Sequence, residues 1–416
     1  MKIIFNYCMN REVRMLDGQW QGVCLASDRR VYFFGGSHYP GVSAPFFRYT
    51  PEDRGAGRVE LIARNLSEVC GEDITKVAPQ GKVHSEVVEH QGWLYFGTHL
   101  GDYTPSGRQR YPGAHLLGYE LATGHFRDFG VIHRNFSNYA GLALDAPRAK
   151  IYFYVTPFVP EDTDGPHLHR IDIRSGANED LGLLAPWVTR INHQSQEITG
   201  LDHERGQACY YMFVDGQGDC WLTLDGERTL FVARALTGKI ERYPAALPAS
   251  PGWWYCACPL DGRRCLITLD DGIWLFDASR FGTPGAFTRL MAPDTPGFSW
   301  ARLAYANGRM YWACRQDDDR HRTENPEMHL NSAPLADPQN ITHHGIIRDQ
   351  DGRAPRGIAS LVPDGQGRIY LAGRWHVLPE EYKTLGVDRH GHIVAAFFTV
   401  LDVADDLAAE KPAKND

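Results

Sequence analysis

The sequence predicts an all-β protein folded as a single seven-bladed β-propeller, and three observations carry that prediction. Seven apolar–aromatic runs begin at Val31, Leu94, Ile151, Cys209, Cys265, Met310 and Ile369, with start-to-start spacings of 63, 57, 58, 56, 45 and 59 residues. Each run follows a polar turn, such as His90-Gln91-Gly92, Asp261-Gly262-Arg263 or Ala306-Asn307-Gly308, and another apolar run precedes each turn. Asp-Gly and Asn-Gly between apolar runs are hairpin signals, because their backbones accept the positive φ of a tight turn. Finally, convincing amphipathic helices and a Pro/Ser-rich linker are both missing, which disfavours a pair of sandwiches. Strand-rich units repeating at this length are the signature of propeller blades.

In chain order, the blade cores fall near 18–36, 82–99, 138–156, 196–214, 253–270, 299–315 and 356–374. Further apolar stretches, at 114–119 and 272–276 for instance, supply outer strands. Residues 1–7 offer a strand to close the ring against the last blade. The propeller spans 1–403, and the charged tail, 404–416, is expected to fray.

A chain of 416 residues that is 43% hydrophobic can bury such a core. Its net charge of −8 gives no global attraction to nucleic acid or to an anionic membrane. A local arginine cluster can still reverse the field inside a cleft. No run of 18 apolar residues occurs, so no transmembrane helix is expected. The N-terminal apolar run meets Arg11, Glu12 and Arg14 too early for a signal peptide. A cytoplasmic protein is the expectation unless a signal has been removed. Nine cysteines lack a disulfide-framework spacing, and Cys209, Cys265 and Cys314 fall inside strand-like runs. They read as reduced, buried thiols in a reducing compartment.

One repeat differs from the rest. Lys82-Val83-His84-Ser85, followed by Leu94-Tyr95-Phe96-Gly97-Thr98-His99, places a histidine near the start of one strand and another past the end of its partner. In a propeller the innermost strand runs down the central channel and the second returns, so both places open on one face. Equivalent second-strand ends carry Gly36, His99, Thr156, Val214, Asp270, Arg315 and Arg374. The first-strand starts carry Gln21, His84, Tyr139, Glu197, Trp253 or Trp254, Trp300 with Arg302, and Arg356. Such a ring suits proton abstraction beside a carboxylate. A histidine or tyrosine takes the proton, an arginine binds the carboxylate bidentately, and aromatic faces stack on sugars.

These two segments resemble the histidine-bearing blade of seven-bladed polysaccharide lyases of the ulvan-lyase kind. That resemblance implies β-elimination on an anionic, uronic-acid-containing poly- or oligosaccharide, with no cofactor required. It implies His84 and His99 as base or acid and Tyr139 as their partner. Where the family would place its carboxylate-binding arginine, this chain has Thr156 or Pro157. The clamp is then expected from Arg302, Arg315 or Arg374, with Arg356, Trp300 and Glu197 completing the substrate-binding set. A more distant similarity, to the oligogalacturonate lyases, implies a divalent metal (Mn, Ca or Zn) held by a His/Gln set. His193, Gln194, Gln196 and His376 offer such a set. A propeller hydrolase or lactonase using a channel metal, and a non-catalytic propeller binding a protein partner, are the other readings. His343-His344 and His390-x-His392 read as surface-loop histidines.

Overall fold

A computed structural model describes residues 1–52, 55–157, 165–184, 208–224, 228–244, 246–248, 256–269, 271–292, 302–315, 327–389 and 391–408, with Arg315 described by backbone alone. Seven antiparallel sheets follow one another along the chain as the blades of a propeller. The innermost strands of successive blades approach one another around a central channel, from Leu142–Asp145 to Met212–Val214, then Cys256–Pro259, Arg302–Ala306 and Pro355–Pro363. Val23–Leu25 of blade one packs on Pro355–Pro363 of blade seven, which closes the circle.

Ring closure uses the N-terminal strand. Lys2–Cys8 pairs antiparallel with His392–Asp402 and becomes the outermost strand of blade seven. The blade therefore joins the two ends of the described chain in one hydrogen-bonded sheet. Between blades, aromatic residues alternate off the second strands and interlock. Phe33 stacks on Phe398 of blade seven at 4.1 Å, while its neighbour Phe34 meets Phe96 of blade two at 4.6 Å. Such ring pairs add about 0.5–1.5 kcal/mol beyond the area they bury.

Two sequence expectations change. In blade four, Cys209–Met212 was expected as the second strand. Instead the innermost strand is Met212–Val214 and the second is Cys220–Thr223, joined through the turn at Asp215. The Cys209 run has the same aromatic composition as the other second strands, so pattern alone misplaces it by one strand. Val214 consequently ends a first strand, at the opposite mouth from His99. The C-terminal segment does not simply fray: Ala404–Ala408 is a short helix, and Asp406 accepts from His344 Nδ1 at 2.8 Å.

All nine cysteines are free, and Cys209, Cys265 and Cys314 are buried. No helix among the described residues is long and apolar enough to cross a membrane.

Candidate functional site

The innermost strand of blade two is interrupted. Gln80–Val83 pairs with Trp93–Leu100, then the ladder lapses until Val88–His90 resumes it. Within the gap, the Ser85 hydroxyl replaces a backbone acceptor by taking the Gly97 N–H at 2.9 Å. His84 therefore sits just past the end of a strand rather than near its start, released from the pleat. The hairpin closes as the sequence indicates, with Gln91 and Gly92 at φ of 50° and 78°, the geometry of a type I′ turn.

His84, His99 and Tyr139 come together. Ring centroids lie 5.2 Å apart for His84–His99, 4.8 Å for His84–Tyr139 and 5.3 Å for His99–Tyr139. The segment entering blade three holds this arrangement. Ser137 Oγ accepts from Leu100 N, and the Asn138 amide donates to the carbonyls of Gly141 and Tyr154. Ala140 takes a positive φ of 91°, and the Tyr139 carbonyl accepts from Cys209 N of blade four.

Hydrogen bonding decides the protonation of His99. Its Nδ1 lies 3.0 Å from the Asn138 carbonyl, which can only accept, so Nδ1 carries the proton. Ser137 Oγ lies 2.8 Å from the same nitrogen. Nε2 is then an acceptor, and it receives the Tyr103 hydroxyl at 2.6 Å. Lys82 Nζ donates to that same Tyr103 oxygen at 2.8 Å and lies 4.0 Å from the Tyr103 ring centroid. The chain is thus Lys82 ammonium to Tyr103 oxygen, and Tyr103 proton to His99. Burial first, then the charges of Lys82 and His84, hold the His99 pKa well below 6.5, so the ring is neutral and its Nε2 lone pair accepts the Tyr103 hydroxyl. His99 itself is fully enclosed, whereas His84, Tyr139 and Tyr103 keep 5%, 5% and 6% of their surface exposed.

Tyr103 is fixed from behind. Thr104 caps the short helix Pro105–Gln109, and buried Arg108 folds back to donate to the Tyr103 carbonyl at 2.9 Å. Lys82 and Tyr103 went unnoticed in the sequence. Lys82 was in view, two residues before His84, but an isolated lysine in a strand reads as solvated. Tyr103 lies beyond its strand in a polar loop and carries no pattern.

The site continues into blades one and seven. Trp20 stacks over His84 at 6.0 Å and receives Lys82 Nζ on its ring at 4.8 Å and Arg374 at 5.6 Å. Arg374 Nε donates to the Asp17 carbonyl at 2.9 Å. Burial, ahead of the opposing Asp17 charge and of Arg389 and Arg356, lowers the Arg374 pKa to about 10, which leaves it cationic at neutral pH. The enclosed Asp17 carboxylate takes His38 Nδ1–H at 2.8 Å and lies 3.3 Å from Arg389 Nε. His38 in turn meets the Tyr103 ring edge-on at 5.1 Å. One carboxylate thereby lies beside Arg374 and Arg389, and Lys82 joins Arg374 over the Trp20 ring. Glu86 lies farther along the channel wall, where loss of solvation raises its carboxyl pKa to about 8. Its charge reaches Tyr211 and Cys256 of blades four and five, as does that of Arg302.

Among the other sequence candidates, Arg374 joins the histidines through Trp20, and Arg356 lies beside Arg374 and His376. Buried Arg302 lies on the blade-four and blade-five side, against Tyr211 and Cys256. Arg315 ends the second strand of blade six. Glu197, Trp300, Trp253, Trp254, Asp270, His193, Gln194, Gln196 and His390 lie outside the described residues. His376 faces His392 at 6.0 Å, and burial lowers its pKa to about 4. His343 is exposed on the strand Thr342–Ile346 and bonds Asn331, whereas His344 is buried between Ser332 and Asp406 and reads as packing rather than as a surface-loop residue.

No protein-family model matches this chain. No curated protein matches it by sequence. Among solved structures, it is similar to a catalytically inactive variant of virginiamycin B lyase from Staphylococcus aureus with quinupristin. The identity is 12% over 94% of this chain and 97% of that one, with a TM-score of 0.51. The selenomethionine-substituted form of the same lyase aligns at 10% identity over 94% and 97% of the two chains, with a TM-score of 0.50. U3-55K aligns at 12% identity over 92% and 96%, with a TM-score of 0.48. At these identities the likeness shows the propeller fold.

Proposed function

We propose that this protein is a lyase that cleaves a uronic-acid-containing poly- or oligosaccharide by β-elimination at one mouth of its channel. The observation that carries the reading is the Lys82–Tyr103–His99 chain, packed against His84 and Tyr139 beside a cationic rim. β-Elimination needs a base for the proton α to the carboxylate, a cation to stabilise the resulting enolate, and an acid for the departing oxygen.

In this reading Tyr103 is the base. It acts as the phenolate, which the adjacent Lys82 ammonium stabilises, and once it has taken the α-proton its hydroxyl donates to neutral His99 Nε2. Because His99 is enclosed, it orients the Tyr103 hydroxyl and does not touch the sugar. Arg374 meets the uronate carboxylate, and Trp20 offers a ring between Arg374 and His84 for a sugar face. His84 or Tyr139 supplies the proton to the glycosidic oxygen. Relative to the sequence expectation, His99 moves from direct base to the group behind the base.

The test is incubation with a panel of uronate-containing glycans, following ultraviolet absorbance of the unsaturated product. Turnover that Tyr103→Phe abolishes supports the assignment. Absence of product across the panel would favour the non-catalytic propeller, and full turnover by Tyr103→Phe would reject Tyr103 as base.

A further inference from the structure

A second cluster of histidines lies away from the channel, where the outer strands of blades two and three meet. We propose that His133, His167, His169 and Asp180 form a zinc site that clips these two blades together. His133 stands on Phe126–Arg134, the outermost strand of blade two. His167 and His169 alternate on His167–Asp172 of blade three and so project from one face of that sheet. Asp180 lies opposite His169 on the adjoining strand.

One ligand atom from each of the four falls within 4.8 Å of every other. His133 Nδ1 is 3.1 Å from His169 Nε2, His167 Nδ1 is 3.0 Å from the Asp180 carboxylate, and His169 Nε2 is 4.0 Å from Asp180 Oδ1. A tetrahedral zinc with Zn–N bonds of about 2.0–2.1 Å needs ligand separations of about 3.4 Å. The observed separations straddle that value, and small rotations of the partly exposed His133 and His167 rings and of the exposed Asp180 carboxylate reach it. Three imidazoles and a carboxylate are a donor set suited to zinc.

The supporting contacts point the same way. His169 Nδ1 lies 3.0 Å from Asn178 Oδ1, and the Asn178 amide nitrogen is already committed to the Ile132 carbonyl at 3.0 Å. Asn178 can therefore only accept from His169, which puts the proton on Nδ1 and the lone pair of Nε2 toward His133 and Asp180. Orientation of a ligating histidine through its other nitrogen is the usual support for a metal. In the empty site His133 Nδ1–H must donate to that lone pair. Zinc takes the place of that proton and of the His167 Nδ1 proton that the Asp180 carboxylate accepts, and each proton moves to the other nitrogen of its own ring.

A neighbouring group, Cys70, His115 and Asp128, has ligand atoms equally close. It is built differently. Both nitrogens of His115 face carboxylates, Asp128 at 3.0 Å and Glu72 at 3.1 Å, so the ring is a doubly donating cation without a lone pair to offer. That cluster is an ion-pair network, and it serves as the internal control.

The clip would bear on the channel as well. Phe136 stacks on His133 at 4.1 Å, and the strand Phe136–Ser137 leads directly into Tyr139.

The experiment uses untagged, chelator-stripped protein loaded with zinc alone, desalted and analysed for metal, with affinity read by competition against a chromophoric chelator. One zinc per chain is expected for wild type and for Cys70→Ser, with loss of that zinc in His133→Gln and in His167→Gln. Asn178→Ala should weaken binding by about 10–100-fold. Zinc should also raise the melting temperature of wild type and leave that of His133→Gln unchanged, which shows that the variant is folded as well as unresponsive. Well below one zinc per wild-type chain, or equal zinc in wild type and both histidine variants, overturns the proposal.

Discussion

A histidine with a hydrogen bond at each ring nitrogen and no exposed surface cannot itself meet a sugar, and His99 is such a residue. Its neutrality follows from burial and from the cations around it, and that neutrality leaves Nε2 as a hydrogen-bond acceptor for the Tyr103 hydroxyl. Tyr103→Phe removes the phenolic oxygen while keeping the ring, so kcat should fall by about 10²–10⁴-fold with KM little changed, as steady-state kinetics would reveal. Arg374→Met should lower kcat/KM on a uronate substrate by about 10–100-fold, the value of a hydrogen-bonded charge contact. The same substitution should have little effect on a methyl-esterified substrate, so comparing the two isolates the carboxylate contact. Titration supplies a further check. The folded His99 pKa lies below 6.5, so acidification protonates the unfolded chain first, and stability present above pH 6.5 is lost as pH falls toward the folded value. Glu86 acts oppositely: raised from 4.5 to about 8, it favours the fold at low pH and loses that contribution as pH rises through 8. Thermal melts should therefore show Glu86→Gln more stable than wild type at alkaline pH, with the difference vanishing toward pH 4.5.

The interrupted inner strand of blade two is the element on which the site depends. Continuous pairing would have kept His84 in the pleat, whereas Ser85 substitutes for the missing ladder bond and lets the ring turn toward Tyr139. Gly97, opposite this gap, has no room for a side chain: a Cβ there would lie 2.4 Å from Asn138 Oδ1 and 2.6 Å from the Phe153 ring. Gly97→Ala should push Asn138 away and loosen the carbonyl that anchors His99. A loss of about 1–3 kcal/mol in denaturant unfolding is expected, together with lowered activity. The hairpin turn at Gln91-Gly92 was legible because glycine and polar turn residues carry their conformation locally. The strand break was not, because Ser85 acts through a partner twelve residues away.

At the scale of the molecule, the propeller is held as a ring by its first strand. Lys2–Cys8 covers the edge of His392–Asp402, and Asn10 ties the following turn to Ala396 N at 3.0 Å. Removing residues 1–8 should expose a long apolar edge strand, lower the unfolding midpoint, and produce oligomers in size-exclusion chromatography. Retention of a monomeric profile and the wild-type midpoint would show that the ring closes without that strand. Closure also brings Arg374 of blade seven and Trp20 of blade one to the histidines of blade two.

Repetition of apolar runs, turns and spacings determined the propeller, its seven units and the hairpin carrying His84 and His99, because pleat period and turn chemistry are local properties. The sequence pattern also misassigned blade four, where an aromatic run of the usual composition leads into the first strand instead of forming the second. Only the tertiary structure decided which cations gather around the histidines and which hydrogen bonds His99 makes. Asp17 with Trp20, Lys82 with Tyr103, and Arg374 come from three distant stretches of the chain; the Lys82–Tyr103–His99 chain forms within blade two, and ring closure brings Asp17, Trp20 and Arg374 to it.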